Sequence, residues 1–384
     1  MTGVQTCALP IFFASVVVSA ASLPAAFIAN IVFAPGQARG FALPFSHDRF
    51  AEVLAAWDSG WYWDIARHGY YFSTDAQSSV AFFPLYPWLM RVVAAPFGGG
   101  DRATWMAGIA ISLTAFVLAL VALHGLAERL FKDRDVARRT VLYVAVFPWS
   151  IFMTRVYAES LFLLTTVLAV RSAYEERWWR AGAWGALATL ARPNGLLIGL
   201  PLLLLAVRDR PPMRELATRT AALAMVPGAL AVYSTYVYSL TGDPIGWMSA
   251  QAHWGYSLGH PPWQQLQRMA FGLVEQGPYA YLLATPMAPF EVLQGLPALM
   301  FLALAPVIWR RLGAAMGVYV LASLLVPLSS NTLEGLGRYS SVLFPAFLLA
   351  ASVTAARTHE ALVMTSLVFR TLLVCFFVTW QPIY

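Results

Sequence analysis

The chain has 384 residues, 59% of them hydrophobic and only 11% charged, with a mean hydropathy of +0.63. Uncharged runs such as Leu9 to Phe33 and Trp105 to Leu123 are long enough to cross a bilayer, so the composition excludes a soluble globular protein and indicates a polytopic, all-α membrane protein. The excess of 25 Lys and Arg over 19 Asp and Glu sits in short loops between apolar runs, which excludes a nucleic-acid partner, and the two cysteines, Cys7 and Cys375, lie far apart in apolar segments and indicate neither a disulfide framework nor a metal site.

In chain order, Met1 to Ile11 resembles the translated remnant of a sequencing adapter, and nothing functional is drawn from it. Spans are predicted at 12–34, 103–127, 140–154, 157–174, 220–240, 292–309, 313–328, 340–356 and 361–380. Segment 80–97 carries Pro84, Pro87, Arg91 and Pro96 and reads as an interfacial or re-entrant helix. Segment 182–207 offers 26 residues where two crossings need about 40, which predicts two half-length helices meeting at Arg192-Pro193-Asn194-Gly195. The expectation is a single transmembrane domain over 1–384, with 9 to 11 spans, no internal repeat and no soluble domain.

Positive charge sets the topology. Arg129 to Arg139, Arg171 to Arg180, Arg208 to Arg219, Arg310 with Arg311, and Arg357 mark one face as cytoplasmic. The opposite loops are nearly free of Lys and Arg: 241–291 holds only Arg268 and 329–339 only Arg338. The loop 35–101 must join them, so it is predicted to be an extracytoplasmic catalytic loop, with 241–291 a second large loop on that side.

Within 35–101, Trp57-Asp58-Ser59-Gly60-Trp61-Tyr62-Trp63-Asp64-Ile65-Ala66-Arg67-His68-Gly69-Tyr70 concentrates ionisable groups where charge is otherwise scarce, which marks a functional site. Six residues apart on a helix, Asp58 and Asp64 lie about 120° out of phase, so two separate roles are expected rather than a paired dyad. A carboxylate beside Trp57 and Trp61 at the bilayer surface is suited to take a proton from a hydroxyl. The competing reading makes Asp58 a helix cap ahead of Ser59 and Gly60. Arg67 and His68 complete the cluster, although a loop histidine is commonly satisfied by solvent.

The aromatic residues here, with Phe82, Phe83, Tyr86 and Trp88, fit an interfacial belt, but sugar rings and polyprenyl chains pack on such faces too. Polar groups recur at the external ends of later spans: Arg155 and Glu159, Arg192 and Asn194, Gly242-Asp243-Pro244, Gln251 and His253, and Arg338-Tyr339. All can converge on one external mouth. Arginine is the natural partner for a lipid phosphate because its planar fork pairs oxygens bidentately, whereas a lone arginine is more often a snorkelling or ion-paired structural residue.

These blocks, with Phe82-Phe83-Pro84-Leu85-Tyr86-Pro87, Tyr157-Ala158-Glu159-Ser160-Leu161-Phe162 and Phe344-Pro345, resemble in order the motifs of the PIG-V-type mannosyltransferases (GPI mannosyltransferase II-like) and their bacterial relatives. The first block is the most specific. The resemblance implies a GT-C membrane glycosyltransferase fold, a polyprenyl-phosphate sugar donor such as polyprenyl-phosphate-mannose, and an inverting transfer to a glycan or glycolipid acceptor on the extracytoplasmic side of the cell membrane. In such enzymes an acidic residue of the first external loop acts as base, and Asp58 is the matching position. Eukaryotic members act on GPI precursors, whereas this chain has the short loops of a prokaryotic one.

The mechanism expected from this is a single displacement. Asp58 takes the acceptor proton, the leaving phosphate is held by Arg192 or Arg338 with His253, and Asp64 orients. No cofactor is expected. A lipid-phosphate donor leaves as a monoester without the diphosphate that a metal bridges, and there is no Asp-x-Asp motif. Two other classes compete: a transporter or flippase of lipid-linked glycans, which would place ionisable groups at mid-membrane and show repeats, and a nonenzymatic envelope scaffold, which leaves the two acids unexplained.

Overall fold

A computed structural model describes residues 18–33 and 53–383. Expectations that fall on 1–17 and 34–52, among them the adapter-like start, Cys7 and the first part of the 35–101 loop, lie outside the described residues. Among those described, every regular element is helical. The apolar composition explains this: in hydrocarbon a backbone N–H finds no water, so each spanning segment must satisfy its own hydrogen bonds.

Among the described residues, four helices are long and apolar enough to cross a membrane: Asp101–Phe131, Met213–Thr241, Ala288–Leu312 and Arg357–Val378. Arg134–Val146 and Pro148–Thr154 pass the same test together, bent by 83°. Pro148, which has no N–H to give to the preceding turn, stands at the bend. The other expected crossings fall on the shorter helices Leu23–Val32, Glu159–Tyr174, Ala314–Leu328 and Phe344–Val353, and Pro193–Ala206 is a further short apolar stretch.

The two irregular places are where the chain turns inward. Segment 80–97 folds as the helix Leu85–Ala94 between single turns at Ser79–Ala81 and Ala95–Phe97. Ten residues rise about 15 Å, half the hydrocarbon thickness, so this helix cannot cross. Arg91 Nε donates to the Ala66 carbonyl at 2.6 Å and ties it to the helix Ser59–His68. Segment 182–207 breaks where expected: Trp178–Ala191 ends, Arg192 is extended, and the chain resumes as Pro193–Ile198 and Gly199–Ala206.

Packing fixes the break in place. Trp178–Ala191 lies against both Glu159–Tyr174 and Met225–Thr241, and Asp101–Phe131 packs on Glu159–Tyr174. Where the start of Trp178–Ala191 crosses Met213–Leu223, a Cβ on Gly182 would sit 2.0 Å from the Ala222 carbonyl oxygen, so only glycine allows this backbone approach. On the far side, Gln294 of Ala288–Leu312 accepts the Gly337 N–H at 2.8 Å and fixes the short helix Leu336–Ser341, which carries Arg338.

Candidate functional site

The site is built from a strained turn. Trp57 has φ of +58°, a left-handed conformation that is costly for a bulky residue. Tyr157 holds it: its hydroxyl donates to the Ala56 carbonyl at 3.1 Å and accepts the Asp58 N–H at 3.2 Å. Asp58 therefore stands at the N-cap position of Ser59–His68, yet its side chain makes no capping bond. It reaches instead to Arg338, Oδ2 to Nη1 2.5 Å. The reading of Asp58 as a helix cap is thus not met by its side chain.

Arg338 starts a buried chain of charges. Its Nε lies 3.3 Å from Glu159 Oε1, and Arg192 Nη1 donates to that same oxygen. Glu159 opens the helix Glu159–Tyr174 and Arg192 follows the last residue of Trp178–Ala191, so each sits at the helix end whose partial charge favours it. Aromatic faces back the guanidiniums, with Tyr339 5.0 Å from Arg192, and Tyr157 and Phe152 5.6 and 5.7 Å from Arg338. Glu159 is 1% exposed and Arg338 7%. Buried ions of this kind are tolerable only because each meets an opposite charge.

These groups face a cavity of about 470 Å³. Asp58, Arg192, Glu334 and Arg338 form its charged wall, and Trp57, Trp61, Gln251 and Tyr339 line it as the sequence suggested. The opposite wall is aromatic. Trp61 stacks on Phe82 with centroids 5.5 Å apart and meets Trp254 edge-on at 5.3 Å, while Trp380 stands 5.1 Å from Trp57. One side can thus take an anion and the other a ring or a chain.

Glu334 differs from the other acids. It lies in the loop between Ala314–Leu328 and Leu336–Ser341, lines the cavity, and has no ion-pair partner among the described residues. Burial pushes its carboxyl up to about 7, the Asp58 charge adds to the rise, and Arg338 opposes it.

Several residues expected at the site lie elsewhere. Asp64 points away and pairs with His68 at 2.8 Å, and His68 is itself exposed. Helix phase explains this, since turning Asp58 inward turns Asp64 out. Arg67 bonds Asp101 at 2.8 Å and the Gly99 carbonyl, which joins two structural elements. Tyr86 is fully buried and spends its hydroxyl on the Gly108 carbonyl and Ser112. Glu159 stands behind the cavity wall, holding two of its arginines. Asn194 is half-buried but does not line the cavity, and His253 is exposed, with its carbonyl 3.5 Å from Gln77 Nε2. Arg155 is buried behind the wall, over the Phe377 ring.

Other lining residues went unassigned in sequence: Tyr62, Gln77, Tyr256, Glu334 and Trp380. Trp380 carried a readable signal, because it ends a span on the same side as Asp58. Glu334 carried one only as a neighbour four residues before Arg338.

Residues 18–204 match the family model described as Mannosyltransferase (PIG-V). Over that region, just under half of its length, the chain is similar to the PIG-V mannosyltransferase family. GPI mannosyltransferase 2 of Yarrowia lipolytica is 28% identical over 192 residues, covering 50% of this chain and 51% of that protein. Human GPI alpha-1,6-mannosyltransferase 2 is 30% identical over 150 residues, covering 38% of this chain and 30% of the human protein. The chain therefore spans about half the length of the first relative and under a third of the second. Among solved structures, ArnT from Cupriavidus metallidurans bound to undecaprenyl phosphate overlays with a TM-score of 0.50 at 17% identity, over 91% of this chain and 62% of that one. The likeness is one of fold, the helical GT-C bundle. The family match ends at residue 204, so of the buried charge chain it contains Asp58, Glu159 and Arg192, and Arg338 lies beyond it.

Proposed function

We propose that this chain is a membrane glycosyltransferase that moves a mannosyl residue from a polyprenyl-phosphate donor to a hydroxyl of a glycan or glycolipid acceptor on the extracytoplasmic face. The observation that carries the reading is the buried chain Asp58, Arg338, Glu159, Arg192 along one wall of an aromatic-faced cavity. Two guanidiniums suit a phosphate monoester, and the aromatic wall suits sugar and isoprenoid. ArnT, of like fold, was solved with a lipid phosphate of this class. The scarcity of Lys and Arg in 241–291 and 329–339 supports the external face.

In this mechanism a donor phosphate competes with Asp58 for Arg338. Binding of donor thus frees the Asp58 carboxylate to accept the proton of the acceptor hydroxyl. The acceptor oxygen attacks the anomeric carbon, the bond to the phosphate oxygen breaks, and the charge left on the phosphate stays with Arg192 and Arg338. The guanidiniums meet that charge, and the reaction is read as metal-independent.

The test uses purified protein in liposomes with radiolabelled polyprenyl-phosphate-mannose and octyl α-mannoside as acceptor. Wild type should label the acceptor, and Asp58→Asn should lower the rate by about 100-fold or more with an unchanged gel-filtration profile. Movement of labelled donor across the bilayer without transfer would favour the transporter reading and sink this one.

A further inference from the structure

A base that has taken a proton must lose it before the next turnover. Once the phosphate departs, Asp58 regains its ion pair with Arg338 only as the ionised carboxylate, so its proton must go elsewhere. Protonating Glu334 breaks no ion pair among the described residues, and the two carboxyls face the same cavity. Glu334 also lines a second, smaller cavity of about 120 Å³, and of the residues around the two it is the one they share. The second cavity carries polar groups from Gln265, Glu291, Asn331 and Thr332 among apolar ones from Met287, Phe290 and Leu333. Water in it would connect Glu334 to Glu291, which lies at the protein surface near Tyr281.

We propose that Glu334 is the second carboxylate of the proton-transfer machinery: the acceptor proton taken by Asp58 passes to Glu334 and leaves through the second cavity. The inference rests on the glycosyltransferase reading and deepens it. In the complete step the acceptor oxygen bonds to the anomeric carbon, the carbon–oxygen bond to phosphate breaks with its electron pair kept by phosphate, and the proton moves from hydroxyl to Asp58 to Glu334 to water. The groups that face Glu334 are Asp58 and Arg338 across the first cavity, Tyr256, and Glu291 across the second. Burial and the like charge of Asp58 push the Glu334 carboxyl up to about 7, where it both accepts and releases a proton near neutral pH.

The experiment measures the pH dependence of kcat and of donor KM for wild type, Glu334→Gln and Glu334→Asp, with the donor and acceptor named above. Relay requires the ionised carboxylate, so wild-type kcat should rise with pH through about 7. Glu334→Gln should lose that limb and fall in kcat by roughly tenfold or more, with donor KM unchanged, and Glu334→Asp should recover part of the rate. Infrared difference spectroscopy gives a readout without turnover. A protonated-carboxyl band should titrate near 7 in wild type, vanish in Glu334→Gln, and shift to lower pH in the inactive Asp58→Asn, where the like charge is gone. Thermal stability provides another. The folded carboxyl holds its proton more tightly than the unfolded chain does, so stability falls as pH rises towards 7, and Glu334→Gln should abolish that fall. Active wild type with an unchanged kcat profile in Glu334→Gln overturns the relay alone, as does the absence of the titrating band. An inactive wild type overturns the glycosyltransferase reading and the relay with it.

Discussion

Two pairs of buried arginines meet one aromatic cluster through Arg338 and Arg155, and they are treated differently. Arg338 lies over Phe152 and Tyr157, Arg155 lies over Phe377, and those three rings touch one another with centroids 5.0 to 6.1 Å apart. On the cavity side, Arg192 and Arg338 each meet a carboxylate, from Glu159 and Asp58. Behind it, Arg155 gives one bond to Thr154 at 3.1 Å, and Arg370 has no ion-pair partner among the described residues. Arg155 and Arg370 lie close enough for their charges to repel. The contrast separates cations held ready to exchange a carboxylate for an incoming anion from cations that only cost desolvation. On the proposed reading, a phosphate arriving at the first pair would exchange one counterion for another and leave no buried cation unpaired.

The comparison breaks most severely at Glu159, because one carboxylate serves both cavity arginines. Glu159→Ala leaves two buried guanidiniums short of a counterion, and the expected loss is about 3–5 kcal/mol of stability. A thermal melt followed by intrinsic fluorescence should show a large drop in Tm, and added polyprenyl phosphate should restore part of it by taking the place of the lost charge. A melt within a degree or two of wild type would mean that the cavity arginines resemble those behind it.

A smaller effect is expected at Arg338. Its fork reaches Asp58 through Nη1 and Glu159 through Nε at once. A lysine can meet only one of them, or a phosphate, at a time. Arg338→Lys should keep the fold and lower kcat/KM for the donor by about tenfold, seen in initial rates over a range of donor concentration. Pairing of Arg338 with Glu334, the local alternative four residues away, would make Glu334→Ala equivalent to it. The geometry predicts that the two differ, since Arg338 turns to a carboxylate 280 positions earlier.

That long-range pairing also shows what the sequence could and could not reveal. Apolar runs and basic loops made the helical membrane class legible, and chain length alone exposed the break at Arg192, since 26 residues cannot make two crossings. Asp58 was legible because the first external block spends scarce charge in one place. Which of Asp58 and Asp64 faces inward was not, because helix phase says only that they diverge, and the choice is made by Tyr157, 99 residues on. Arg67 and Tyr86 look like site residues in a linear motif, but their partners, Asp101 and Ser112, lie in a helix that packs against them only in three dimensions. Arg370 was the missed warning: a charge eight residues inside an otherwise apolar span is a feature to explain from sequence alone.

The mildest test concerns that residue. Replacing a buried ion by an apolar side chain of similar length is often neutral or stabilising, because desolvation is relieved and no partner is orphaned. Arg370 has no carboxylate to orphan among the described residues, and it is repelled by Arg155, so Arg370→Met should melt at the wild-type temperature or slightly above it. Mannosyl transfer should stay within about twofold of wild type, the range of a change that touches no reacting group. The same substitution at Arg192 would leave Glu159 with Arg338 alone and should lower Tm, so the two variants measured side by side sharpen the contrast between the pairs. A loss of donor affinity in Arg370→Met would carry the opposite lesson: the phosphate site would extend behind the aromatic cluster, and the second pair of arginines would belong to it.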